Sequence, residues 1–240
     1  MNSAGTMAVK VNLTGGDVTG ATNDEAIYRI SGGNTVLIAR DGNAIGSTGF
    51  NIGDLGFNAK INSLGQIGYD TTISGTGITT ANDSAWLIDN TIVLQEGTAA
   101  SGTAGATFNT LSVSSNGFGA NGFVAAVTLA GGDATTSNDQ AIFRAGLSGA
   151  TMLVREGDVA GSTGGNFGVI NNSSVIGNDN NGVLFFDSLT GGSITTADDA
   201  SYWFHDGSGL NLVAREGDLA PGLSGKPLAR FRLVRGCSTT

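Results

Sequence analysis

Two sets of oxygen-bearing side chains recur along the chain and could do chemistry. The first is an acid-glycine turn: Arg40-Asp41-Gly42-Asn43, Gln95-Glu96-Gly97-Thr98, Arg155-Glu156-Gly157-Asp158 and Arg215-Glu216-Gly217-Asp218, with glycines 55, 60 and 60 residues apart. The second is an Asn/Asp-Asp pair ahead of a short apolar run: Asn23-Asp24, Asn82-Asp83, Asn138-Asp139 and Asp198-Asp199. Clustered carboxylates are the hard oxygen ligands that calcium takes, so Asp24, Asp83, Asp139, Asp199, Glu156, Asp158, Glu216 and Asp218 are the calcium candidates. A structural reading of the same residues is preferred, because a calcium site needs about six to eight oxygens and no Asp-x-Asp-x-Asp-Gly spacing occurs. In that reading the turn carboxylate accepts backbone N–H groups, the glycine is left-handed, and Arg40, Arg155 and Arg215 pair with acids on a neighbouring sheet. The Asn/Asp-Asp pair then forms an Asx turn that starts a strand. Asn178-Asp179-Asn180-Asn181-Gly182 comes nearest to a calcium loop, but it occurs once and a Gly/Asn hairpin accounts for it.

Other chemistry finds less support. A hydrolytic triad would have to use His205, the single histidine, and the equivalent positions hold Ile30, Asp89 and Ala145, so it has no repeated partner set. Gly161-Ser162-Thr163-Gly164-Gly165 lacks the following Lys-Ser/Thr and the helix of a phosphate cradle. Twenty acids leave room for paired-carboxylate glycosidase chemistry, which turns on a separation that only coordinates give. No catalytic or cofactor-binding residue is assigned.

Composition narrows the partners. The 240 residues carry 11 basic and 20 acidic side chains, net −9, and Lys226, Arg230, Arg232 and Arg235 all lie in the last fifteen positions. The rest is more acidic still, which repels nucleic acid and anionic membrane. The single cysteine, Cys237, forms no internal disulfide. No apolar run approaches the ~18–20 residues that span a bilayer, and Met1-Asn2-Ser3-Ala4-Gly5 lacks the basic start and apolar stretch of a signal peptide.

The elements that must position these residues are short strands. Gly5, Gly65, Gly122 and Gly182 precede apolar segments at spacings of 60, 57 and 60, so three markers keep one period of about 60 residues. Val124–Leu129, Ala141–Ala145, Thr151–Arg155 and Phe167–Ile170 are apolar runs between Gly/Asn/Asp/Ser/Thr clusters, and Ala8–Leu13, Glu25–Ile30, Thr35–Arg40 and Phe50–Leu55 match them in the first unit. Nothing has helical length. The pattern predicts an all-β, β-propeller-like chain of four tandem antiparallel four-stranded meanders, with a β-solenoid or a pair of β-sandwiches as alternatives. A single domain spans 1–225, in units of about 1–58, 59–115, 116–175 and 176–225, followed by an atypical basic tail, 226–240. Ile27/Tyr28, Trp86/Leu87, Ile142/Phe143 and Tyr202/Trp203 are expected to pack on alternate faces of each unit.

Asn2-Ser3-Ala4-Gly5-Thr6-Met7-Ala8-Val9, then Leu13-Thr14-Gly15-Gly16, Ala26-Ile27-Tyr28-Arg29 and the Arg-Glu-Gly-Asp turns, resemble the bacterial choice-of-anchor tandem-repeat NxxGxxAF surface proteins over residues 1–222. Asn62-Ser63-Leu64-Gly65 fits that motif, whereas Gly119 and Asp179 stand where Asn is expected. The resemblance implies export and a cell-surface or extracellular location, and it carries no catalytic residue. The expected function is therefore a non-catalytic exported repeat module, a segment of a longer protein, for surface attachment or recognition of extracellular glycan or protein. The alternative is a propeller-type hydrolase or lyase acting on polysaccharide, with calcium as its possible cofactor. Acids that do not repeat, converging in one pocket, would favour the enzyme. Equal loops in every unit would favour binding.

Overall fold

The computed structural model describes residues 1–56, 59–170, 174–229 and 231, without the side chains of 113–116. It is all-β, with four antiparallel sheets. Strands β1 (Met7–Asn12), β2 (Glu25–Ser31) and β3 (Asn34–Arg40) form the first. The second orders β4 (Asn51–Leu55), β6 (Ile67–Ser74), β7 (Ser84–Ile88) and β8 (Thr91–Gln95), with β5 (Lys60–Ile61) also on β6. The third holds β9 (Thr107–Gly119), β10 (Gly122–Ala130), β11 (Gln140–Gly146) and β12 (Gly149–Arg155), and the fourth β13 (Ile176–Gly177), β14 (Val183–Ser188), β15 (Ala200–His205) and β16 (Leu210–Arg215). A 3₁₀ turn spans Gly20–Thr22, and among the described residues no helix is long and apolar enough to cross a membrane. Left-handed residues make the tight hairpins: Gly32 and Gly33, at φ 55° and 82°, give β2 and β3 a two-residue loop whose twist matches the strands.

Burial follows strand alternation. The core between the first and second sheets holds Ile27 and Leu87, the next Trp86 and Phe143, and the last Ile142 and Trp203. The first member of each pair thus faces the following sheet and the second member the preceding one. Tyr28 and Tyr202 are the exceptions among the eight expected core positions. They are only half-buried, because they lie on the outer faces of the first and fourth sheets. Edge-on aromatic pairs, Trp86–Phe123 at 4.9 Å and Phe167–Trp203 at 4.9 Å, fill the two later cores.

The sheets are not divided where the period suggested. Phe50–Leu55, read as the fourth strand of the first unit, crosses to the second sheet, where β4 pairs with β6 through Ile52 and Ile73. The acid-glycine turn causes this. Gly42 N–H donates to Ile52 O and Ile52 N–H to Asn43 O, both at 2.8 Å, so the chain is held across the turn while its next residues reach the neighbouring sheet. The same two bonds join Gly97 and Thr98 to Phe108, Gly157 and Asp158 to Phe167, and Gly217 and Asp218 to Leu228. Phe167–Ile170 is not a regular strand; the chain there is tied to the fourth sheet by the bridge Asn166↔Thr190. The tail, set apart after Gly225, continues the turn pattern through Lys226–Leu228; of its other residues Ala229 and Phe231 are described, and the remainder lie outside the described residues.

Candidate functional site

Each sheet builds one corner from the two sets of polar residues. Before the second strand, the N–H groups of Thr19, Thr79, Thr135 and Thr195 donate to Oδ1 of Asn23, Asn82, Asn138 and Asp198, each at 2.7 Å. The last strand sends a long side chain back to the carbonyl of that same residue: Arg40 Nε to Asn23 at 3.0 Å, Gln95 Nε2 to Asn82 at 3.0 Å, Arg155 Nε to Asn138 at 2.6 Å and Arg215 Nε to Asp198 at 2.7 Å. The arginines then pair with acids of their own loop: Arg40 with Asp17 at 2.9 Å, Arg155 with Asp133 at 2.7 Å, and Arg215 with Asp198. This overturns the expectation that they pair with acids on a neighbouring sheet: the carbonyl already holds each guanidinium over its own hairpin. Arg155 holds the Asp133 carboxyl below its ordinary range.

The calcium candidates divide between backbone roles and one polar pocket. The carbonyls of Asp24, Asp83, Asp139 and Asp199 accept the N–H of Leu13, Ile73, Leu129 and Leu189, closing each first hairpin. Asp41, almost fully buried, accepts Glu25 N–H at 3.0 Å through its carboxylate, as the structural reading requires. Asp158 and Asp218 are exposed, and Glu216 is half-buried. Only Asp139 and Glu156 come together: burial raises the Glu156 pKa, and the neighbouring Asp139 raises it further. Among the described residues no three His, Cys, Asp or Glu side chains converge to hold a metal, so these residues do not fit calcium. His205 accepts Gly207 N–H at 3.1 Å, and burial followed by Arg144 lowers its pKa.

The third corner opens onto a cavity of about 560 Å³, walled by the loop Thr136–Asn138, the turn Arg155–Asp158, Asn166–Val169 and Thr190. Behind its wall Arg155 Nη2 and Glu156 Oε2 are buried without a protein partner. Hydroxyl, amide, carboxylate and guanidinium groups therefore share one recess between the third and fourth sheets.

Two features escaped the sequence reading. Asp187 is 1% exposed and pairs with Ser201 across β14 and β15, the register position that Val11, Thr71 and Val127 hold opposite Ala26, Ala85 and Ala141 in the other sheets. Burial pushes its pKa up to about 6, and one oxygen accepts Gly168 N–H at 2.9 Å. The signal was a lone acid in a column of β-branched residues. The second feature is a slip of one residue: Asn178 Oδ1 accepts Asn180 and Gly182 N–H, as Asn2 Oδ1 accepts Ala4 and Thr6 and Asn62 Oδ1 accepts Leu64 and Gln66. Asn178, not Asp179, therefore fills the Asn position, and Asn181, at φ 65°, takes the place of Gly5 and Gly65.

The fold and its corners define an all-β protein of four antiparallel sheets, each closed by a Thr–Asx–Arg/Gln linkage. The chain belongs to the family of unknown function DUF7453, whose model matches residues 1–236 and so runs well into the basic tail. No curated protein and no solved structure matches it.

Proposed function

We propose that the chain is a non-catalytic recognition module of propeller-like repeats, exported and displayed at the cell surface, that binds extracellular glycan in the recess of the third corner. The observation that carries this reading is the recess itself: Ser137, Asn166 and Thr190 bring hydroxyl and amide groups to its wall beside Arg155, Glu156 and Asp158. A polyhydroxylated ligand needs that mixture of donors and acceptors. The equal corners in every sheet support a repeat scaffold on which one recess has become larger. Alternate-face packing of the second strands, met in three successive cores, supports the propeller-like arrangement.

The hydrolase or lyase reading draws on Asp187, the acid that does not repeat, with a pKa in the range of a general acid. That carboxyl is fully buried, stands behind Gly168 and satisfies its N–H, which is a structural role. In the second sheet Thr72 Oγ1 likewise accepts Asp54 N–H beside the irregular pairing of β4. Binding is therefore favoured. A polysaccharide and oligosaccharide panel tests it, reading both retention and hydrolysis. Wild type should retain a subset of glycans uncleaved, and Asn166→Ala or Thr190→Val should weaken retention about tenfold, the loss of one to two hydrogen bonds. Retention of none, or cleavage of any, overturns the reading.

A further inference from the structure

Two walls of the third-corner recess span the contact between the third and fourth sheets, and each ends on a buried acid. One is the turn Arg155–Asp158, which carries Glu156; the other is Asn166–Val169, whose Gly168 N–H donates to Asp187 Oδ2 at 2.9 Å. The walls are also bonded to each other, Gly157 N–H to Phe167 O and Phe167 N–H to Asp158 O, both at 2.9 Å. Glu156 is 7% exposed and Asp187 1%, and Glu156 Oε2 and Asp187 Oδ1 have no protein partner. Charging such an oxygen is costly. Asp139 raises the Glu156 pKa after burial has done so, and Glu156 adds to the rise that burial gives Asp187.

The groups packed around these acids do not neutralise them. Arg155, next to Glu156 in the turn, is bonded to Asn138 O and to Asp133. From β15, Ser201 gives its hydroxyl to the Asp187 carbonyl and accepts the Trp203 indole N–H. From β16, Arg215 lies in register with Ser201 but is bonded to Asp198 and to Thr163 O. Asp158 stands exposed at the rim. Like charges therefore act on one another across this contact. The earlier contacts lack the pair: at the corresponding positions Asp41 is matched with Thr71, and Glu96 with Val127. The doubled acid and the 560 Å³ cavity occur at the same corner.

We propose that Glu156 and Asp187 form a proton-operated latch on the recess: while the pair holds a proton its two walls stay closed on each other, and when both acids ionise their repulsion parts the walls. The sign follows from burial. The Asp187 pKa is pushed up to about 6, so closure is complete in acid and is lost as pH rises through that value. What this does to a bound glycan rests on the reading of the recess given above; the motion of the walls does not.

Amide hydrogen exchange, corrected for the intrinsic effect of pH, reads the latch with no ligand present. In wild type the amides of Gly157, Phe167 and Gly168 should exchange about tenfold or more faster at pH 8 than at pH 5, relative to Gly97 and Phe108, which make the same two wall bonds beside Val127. Asp187→Asn keeps an oxygen for the Gly168 N–H and carries no charge, so the rise should vanish, and Glu156→Gln should shrink it. Glycan retention on the same proteins is the second readout: about tenfold weaker at pH 8 than at pH 5 for wild type, and equal at both for Asp187→Asn. Wall amides indifferent to pH overturn the latch, even where glycan is retained. So does a rise that survives Asp187→Asn, because another group then titrates. Wall amides that open with pH in a protein that retains no glycan at either pH support the latch and sink the glycan reading alone.

Discussion

Arg155 Nε donates to the carbonyl oxygen of Asn138 across 17 residues at 2.6 Å, tying the last strand of the third sheet to the loop that opens its second strand. The guanidinium is buried and also bonds Asp133, so its removal strands a carboxylate and a carbonyl at once. Arg155→Ala should cost about 2–3 kcal/mol in urea unfolding. Arg155→Gln should recover part of this, because Gln95 makes the same carbonyl bond in the second sheet at 3.0 Å. Equal losses for the two substitutions would mean that the ion pair, and not the carbonyl bond, matters.

Three glycines separate backbone strain from crowding between sheets. Gly16, Gly132 and Gly192 have φ of +60°, +53° and +56°, so an alanine at any of them meets the same left-handed penalty of about 1 kcal/mol. A Cβ at Gly132 would collide with the backbone of Gly105, and one at Gly192 with that of Gly164, whereas Gly16 has nothing within 4 Å. Thermal unfolding should therefore show Gly132→Ala and Gly192→Ala costing at least about 2 kcal/mol more than Gly16→Ala.

Asp187 gives stability a pH dependence of definite sign. Its folded pKa of about 6 lies above the ordinary 3.8, so the folded state binds the proton more tightly. The stability it contributes is fully present below about pH 4 and is lost as pH rises through about 6. Burial raises Glu156 in the same direction. At pH 8 Asp187→Asn should exceed wild type by about 2 kcal/mol, and by pH 4 the gap should close. Melting curves of both proteins across that range give the answer; a gap that widens toward acid would refute it.

Burial ranks the aromatic pairs. Trp86→Ala opens a cavity in the core between the second and third sheets and should cost about 3–5 kcal/mol. Tyr28→Ala, on the half-open outer face, should cost about 1 kcal/mol in the isolated chain. Urea unfolding of the two variants side by side checks the order.

Calcium and chelator should leave the melting temperature equal, since no three acidic side chains converge among the described residues. A rise of several degrees with millimolar calcium would reopen the metal reading.

Strand positions were legible because alternation is a local property: Trp86/Leu87 and Ile142/Phe143 declare two buried faces by chemistry alone. Sheet membership was not. Whether Phe50–Leu55 belongs with the strands before it or after it depends on how the Gly42 turn directs the chain, and a 60-residue period is satisfied by either division. The corners were half legible. Their residues repeat in sequence, but the bond from Arg155 to the Asn138 carbonyl uses a backbone atom that no side-chain pattern displays. Asp187 escaped because it occurs once, and only its register opposite Ser201 places it beside Val11, Thr71 and Val127.

The distribution of the two tryptophans has an optical consequence. Trp86 reports from the contact of the second and third sheets and Trp203 from that of the third and fourth, while the contact of the first and second contains neither. Indole emission is therefore blind to the amino-terminal sheet peeling away, and a fluorescence trace would register that event only if the remainder came apart with it.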